Sequence, residues 1–193
     1  MAIPTTRRTQ ADRSAATKAA LADAAIEVLI EKGWAATTVI EVCTRVGVTR
    51  GAFHHHYDSL PELLADALAH LYAGLVSPER PKVTNVVALV DATWAAIGNP
   101  RFKAVIEAWL AMANDATLRT TIGPVVAEFS ALVNPDGFKR TLSDGERRDF
   151  FMAARESMLG LALGRATNGG KALSHERRVL GRIRAEAARL DDL

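Results

Sequence analysis

The chain has 193 residues, 49% hydrophobic and 24% charged, which is enough apolar material for one well-buried domain or two small ones and excludes a disordered protein. Its formal charge of +2 is too small to mark a nucleic-acid binder by charge alone, and its single cysteine, Cys43, excludes an internal disulfide and suits a reducing compartment. Alanine is abundant while Pro and Gly gather at a few junctions, so an all-α fold is expected.

The first ten residues, MAIPTTRRTQ, lack the apolar centre of a signal peptide, and no stretch approaches the roughly 18 uninterrupted apolar residues of a membrane span. A cytoplasmic protein with no membrane partner is expected. Arg7, Arg8, Arg13 and Lys18, against the one acid Asp12, make residues 1–20 a basic arm. From Ala19, apolar Leu21, Ala25, Val28 and Leu29 recur at helical spacing, and Gly33 follows Lys32 as a left-handed stop would. Thr38-Val-Ile-Glu41 has the form of a capping box and starts a second helix reaching about Val46. Gly47-Val48-Thr49 interrupts it, and Thr49 caps a third, short helix from Arg50 to about Tyr57. Asp58-Ser59-Leu60-Pro61 opens a fourth, with Leu63, Leu64, Ala67, Leu68 and Leu71 on one face.

A punctuated stretch with Pro78 and Pro81 then predicts a boundary, giving units of 1–76 and 77–193. In the second unit Val86, Val90, Trp94 and Ile97 line one helix, and Phe102, Val105, Ile106, Trp109 and Met112 line the next. Gly123-Pro124 predicts a break or kink, and 133–138 a loop. Ser143-Asp-Gly-Glu146 is a further capping box, opening a helix from about Asp144 to Ala166 that Asn168-Gly-Gly-Lys171 closes. A last amphipathic helix from near Ser174 turns Val179, Ile183, Ala187 and Leu190 inward and Arg177, Arg178, Arg182, Arg184 and Arg189 outward. The total is about nine helices.

Chemistry concentrates in RVGVTRGAFHHHYDS, from Arg45 to Ser59. Consecutive helical residues are about 100° apart, so His54, His55 and His56 point in three directions and no metal site is expected. Nucleophile, base and orienting group in recognisable spacing are missing, as is a Gly-rich phosphate loop, so neither an enzyme nor a cofactor is expected. A short helix, a glycine turn and a Thr-capped second helix have instead the layout of a helix-turn-helix. Phe53 packs inward and leaves Arg50, Ala52, His54 and His55 on outward faces, where a helix lodged in the major groove meets base edges.

Gly33-Trp34, Thr37-Thr38, Val42-Cys43, Gly47-Val48-Thr49-x-Gly51, Phe53, His54-x-His56-Tyr57-x-Ser59 and Glu62-Leu63 resemble, in register, the N-terminal domain of the TetR family of bacterial transcription regulators over roughly residues 20–65. The remainder is similar to the family in length and helical plan alone. The resemblance implies an N-terminal three-helix helix-turn-helix domain, residues 1–76, and a larger helical effector-binding and dimerisation domain, residues 77–193. It implies a ligand-responsive regulator, a repressor that binds a pseudo-palindromic DNA operator as a homodimer and is released by a small-molecule effector. The alternative is an architectural or protein-interaction module without a ligand, for which the one hint is Leu60, where the family usually has Lys.

Residue by residue, the resemblance implies that Thr38 and Thr49 cap their helices and meet phosphates, with Gly51 beside them. Arg50 would take a guanine edge, Ala52 a thymine methyl, and His55 a base edge or phosphate. His54, where the family usually has Tyr, would donate to a phosphate; as imidazolium it would strengthen binding as pH falls. Losing the Lys at position 60 would make the salt slope shallower by about one. His56 and Tyr57 are read as structural and Arg45 as solvated. Trp94, Phe102, Trp109, Met112 and Phe129 would wall the effector pocket, with Arg155, Asn114 and Glu156 as polar contacts. The homodimer would form through 144–166 and 174–190, with Ala153, Ser157, Gly160 and Gly164 allowing close approach and Phe150, Phe151, Met158 and Leu159 supplying apolar area.

Overall fold

The computed structural model describes residues 9–75, 83–132 and 138–193. Arg7, Arg8, Pro78, Pro81, the expected boundary at 76/77 and the loop at 133–137 lie outside them. The described residues form nine α-helices, one 3-10 turn at Trp34–Ala36, and no strand. In chain order these are α1 (Gln10–Lys32), α2 (Val39–Val46), α3 (Arg50–His54), α4 (Leu60–Leu75), α5 (Val86–Ile97), α6 (Phe102–Asn114), α7 (Ala116–Leu132), α8 (Gly145–Thr167) and α9 (Glu176–Asp191).

Several ends differ from expectation, each for a local reason. The first helix begins at Gln10, well before Ala19, because Thr9 and Asp12 form a reciprocal capping box: Thr9 Oγ1 accepts the Asp12 N–H at 3.1 Å and Asp12 Oδ2 accepts the Thr9 N–H at 2.9 Å. Arg13 and Lys18 therefore ride on a helix and are not part of a loose arm. At α2 only half of the expected box forms: Thr38 Oγ1 accepts the Glu41 N–H, but the Glu41 carboxylate takes Lys32 Nζ at 2.6 Å. The third helix stops at His54 and not near Tyr57. Asp144, one residue after the expected Ser143, caps α8 through the Arg147 N–H, and α9 starts at Glu176. No break interrupts α7 at Gly123-Pro124; Pro124 and Thr120, whose carbonyl the proline leaves without an N–H, both lie on the exposed side.

Packing follows the apolar stripes. The largest core joins α1, α2, α3 and α4 to α6 and α7 through Leu21, Phe53, Leu64, Phe102, Val105 and Ile122, all essentially inaccessible. A second core, around Val86, Val90, Met158, Leu161 and Ile183, holds α5, α8 and α9 together. Each such buried side chain contributes about 1.5–3 kcal/mol of transfer free energy.

One junction between α1 and α6 is polar. A continued α1 would bond the Trp34 N–H to the Ile30 carbonyl, but Gly33 leaves the helix at φ 78°. The Trp34 N–H goes to Glu107 Oε2 at 3.1 Å, and the Ile30 carbonyl accepts Lys103 Nζ at 2.7 Å. Lys103 and Glu107 pair with each other at 3.2 Å, one turn apart on α6, so a single ion pair replaces the missing helical bond. A Cβ at Gly33 would meet the Glu107 carboxylate oxygens only in ordinary contact at 3.4 Å, so the positive φ, and not lack of space, is the reason for glycine there.

Candidate nucleic-acid interface and interior cavities

The turn between α2 and α3 is built from residue-level rules. Gly47 adopts the left-handed conformation, φ 75° and ψ 32°, and its N–H closes α2 onto the Cys43 carbonyl at 2.9 Å. Cys43 is buried against the turn, with Sγ 3.9 Å from the Thr49 carbonyl, and burial pushes its thiol above the ordinary range while nearby Arg50 opposes this. Thr49 then caps α3, its Oγ1 accepting the Ala52 N–H at 3.1 Å.

A helix of five residues has little stability of its own, and tertiary contacts hold it. Phe53 is fully buried, its ring 5.1 Å edge-on from His54 and 5.9 Å from Tyr57. Just beyond the helix, the buried Tyr57 donates its hydroxyl to Asp66 Oδ2 on α4 at 2.6 Å, and Lys18 of α1 pairs with the same carboxylate at 3.2 Å. Burial raises the Asp66 carboxyl, but the Tyr57 hydroxyl and Lys18 outweigh this and leave it below its ordinary value. Through Tyr57, α1 and α4 thus fix the inner side of α3.

The outer side is free. Thr38, Thr49, Arg50, Gly51, His54 and His55 are exposed, and Ala52 is half-buried. The Arg50 side chain makes no hydrogen bond or ion pair with any described residue, whereas Arg45, read from sequence as solvated, is held by Glu27 and Glu31 of α1 at 3.4 and 2.5 Å. Both threonine oxygens are occupied as capping acceptors, which leaves each hydroxyl hydrogen available to donate. Because the helix ends at His54, the expected divergence of the three histidines does not extend past it; the His55 and His56 rings lie 5.2 Å apart. His56 is half-buried, and its pKa is lowered by burial first, then by His55 and Lys18. Among the described residues no group of three or more His, Cys, Asp and Glu could hold a metal ion. Leu60 packs against the core.

Of the several cavities among the described residues, two bear on the expected effector pocket. Phe102, Trp109, Phe129 and Arg155 come together around about 230 Å³ between α6, α7 and α8. The other two expected lining residues do not join them. Trp94 turns toward the core of α5, α8 and α9, where the Arg165 guanidinium stacks 4.9 Å above its ring, and Met112 is buried in the main core. Asn114 is exposed and bonds the Leu110 carbonyl, and Glu156 pairs with Arg155. A larger space of about 620 Å³, which the sequence reading missed, opens between the end of α1 and the ends of α6 and α8, lined by Ile30, Lys103, Ile106, Arg165 and Gly169 among others. On α8, Phe151 and Met158 are buried within the chain and supply no outer apolar area; periodicity marks an apolar face but not what covers it. Gly164 serves the chain's own packing, since a Cβ there would lie 2.6 Å from Leu173 Cδ1.

A short helix fixed from within and polar without, set after a glycine turn, has the geometry of a helix-turn-helix. Residues 21–67 match the family model described as bacterial regulatory proteins, tetR family. The HTH-type transcriptional regulator CymR of Pseudomonas putida is 38% identical over 80 residues, which span 42% of this chain and 39% of that protein. A transcriptional regulator from Rhodococcus sp. Rha1 has a similar fold, with TM-score 0.70 at 20% identity over 91% of this chain and 98% of the other. The multidrug binding protein EbrR, solved with imidazole, superposes at TM-score 0.55 and 21% identity over 86% and 93%. Residues 21–67 thus carry a helix-turn-helix domain of the tetR family type, and the chain spans well under half the length of the curated relative it matches. No described helix is long and apolar enough to cross a membrane.

Proposed function

We propose that this protein is a transcriptional regulator, a cytoplasmic, homodimeric repressor that reads an inverted-repeat operator with α3 and is released by a small molecule. The observation that carries the reading is Arg50: its side chain is exposed and has no partner among the described residues, at the first position of a helix whose opposite side is fixed by Phe53 and Tyr57. A guanidinium so placed can take guanine O6 and N7 together. Thr38 and Thr49 would donate their hydroxyl hydrogens to phosphates, with Gly51 leaving room for the backbone, while His54 and His55 reach a phosphate or base edge and Ala52 a thymine methyl. Residues 1–76 would be the reading unit and 77–193 the effector and dimer unit.

Support for the dimer comes from two exposed stripes of small residues, Ala153, Ser157 and Gly160 on α8, and Gly181, Ala185 and Ala188 on α9. Exposed Met152 and Leu163 flank the first. Support for the effector comes from the aromatic cavity. Its wall helix α6 carries Phe102 and Trp109 toward the cavity and Lys103 and Glu107 toward the end of α1. A molecule that prefers one placement of α6 therefore biases the placement of the reading head, and two heads that no longer match successive grooves about 34 Å apart release the DNA.

The test is an electrophoretic shift of the promoter beside the protein's own gene, with stoichiometry read from light scattering. Two chains per site, and weaker, less selective binding by Arg50→Ala, are expected. An Arg50→Ala protein that binds as tightly and selectively as wild type contradicts the assignment.

A further inference from the structure

The buried residues of α1 begin only at Leu21, so the stretch from Gln10 to Ala20, about 16 Å of helix, runs on past the packed interior. The Thr9–Asp12 capping box holds its start. The face that turns Leu21, Ala25 and Val28 inward is continued toward the start of the helix by Thr17, Ser14, Arg13 and Gln10, at the same three- and four-residue steps. These four meet His55 and His56, just beyond α3, and the six residues line an open groove of about 330 Å³. None of the six is a carboxylate. Arg13 is exposed, and neither its side chain nor the Ser14 hydroxyl bonds any described residue, whereas the Thr17 hydroxyl is spent on the Arg13 carbonyl at 3.0 Å. Asp12 is engaged in the cap, and Asp66 with Tyr57 and Lys18. His56, whose pKa burial lowers first, is lowered further by His55 and Lys18, so positive charge from two elements meets here.

Resting on the reading of α3 as the element that enters DNA, we propose that this groove grips one phosphate of the DNA backbone between Arg13 of α1 and His55, with the Ser14 hydroxyl as a third donor. The place of the groove selects the partner. A five-residue helix is about 7.5 Å long and the major groove about 12 Å wide, so residues just past the end of α3 meet the sugar-phosphate wall and not the base edges. A guanidinium suits that wall, since its planar fork can take two phosphate oxygens together. Such a contact fixes register and adds affinity but carries no sequence information. Arg13 and Ser14 precede the residues 21–67 that match the family model, so the contact rests on this chain's own sequence. It also gives α1 two anchored ends. One is the phosphate; the other, along a rod of 23 residues, is the junction with Lys103 and Glu107 of α6.

The experiment titrates the full chain into two fluorescein-labelled duplexes, the promoter fragment beside its own gene and an unrelated sequence of the same length, in KCl from about 50 to 200 mM. Each neutralised phosphate adds about 0.9 to the steepness with which log K falls against log salt. Arg13→Gln keeps a helix-compatible stem and is expected to make the slope shallower by about 0.9 per bound chain on both duplexes. At about 0.1 M salt that is a loss of about eightfold in affinity per chain. Arg13→Lys should keep the wild-type slope. His55→Ala should also weaken binding, and the double variant should lose at least about twofold less than the product of the two single losses, because both side chains hold one phosphate. The melting temperature of free Arg13→Gln should equal that of wild type, since the side chain has no described polar partner. Fully multiplicative losses overturn the proposal. So does a slope that Arg13→Gln leaves unchanged, the result expected if the groove served an acidic peptide; the reading of α3 then stands and the groove alone fails. If wild type binds neither duplex, the DNA reading fails and the proposal with it.

Discussion

Replacing Lys103 by Met keeps the aliphatic stem and removes the ammonium that closes the end of α1. The 2.7 Å bond to the Ile30 carbonyl has a charged donor and is worth about 1.5–3 kcal/mol. The 3.4 Å contact with the Leu29 carbonyl adds little, because that oxygen already accepts the Gly33 N–H at 3.1 Å. The ion pair with Glu107, both side chains about one quarter exposed, adds at most about 1 kcal/mol. A loss of about 2–3 kcal/mol follows, a sizeable share of the roughly 5–15 kcal/mol that holds a folded domain. Urea unfolding followed by circular dichroism should show a lower midpoint with an unchanged slope. Glu107→Gln keeps an acceptor for the Trp34 N–H and should cost less, about 1 kcal/mol. A Lys103→Met loss under about 0.5 kcal/mol, or a larger cost for Glu107→Gln, refutes the reasoning that this pair stands in for the missing helical bond.

At Gly47 the space for a Cβ is open, so Gly47→Ala suffers from the backbone dihedral alone and should lose about 1–2 kcal/mol in thermal melts, with Gly47→Asn losing less. The hydrogen bond from Arg165 holds the Glu176 carboxyl below its ordinary value in spite of burial. Its folded pKa lies under its unfolded one, so the unfolded chain takes up the proton first as pH falls; the stabilisation is complete above the ordinary carboxylate range and is lost as pH drops through the folded value. Urea midpoints between pH 7 and 3 should therefore fall less steeply for Glu176→Gln than for wild type, and equal slopes would contradict this.

What the sequence discloses and what it hides divides along the range of the interactions. The turn was legible because each of its devices is local: Thr38 and Thr49 cap residues three positions on, and Gly47 sets one dihedral. The inward place of Phe53 followed from helical spacing. By contrast, Lys103 and Glu107 answer a helix end some seventy residues earlier, and no spacing rule connects them. The early start of α1 was hidden because its apolar stripe begins only at Leu21, whereas the cap that starts it is at Thr9. Trp94 and Met112 carry the same apolar signal as Phe102 and Trp109, yet the helices rotate the first two into packed cores and the second two onto a cavity.

In the proposed regulator α3 is the element that reads sequence. Selection of bound duplexes from a random pool, run in parallel with wild type and Arg50→Ala, measures this most directly. Wild type is predicted to enrich an inverted repeat whose half-sites lie about one helical turn apart and contain a guanine that Arg50→Ala no longer selects. Enrichment of the same repeat by both proteins, or of no repeat by either, would contradict it.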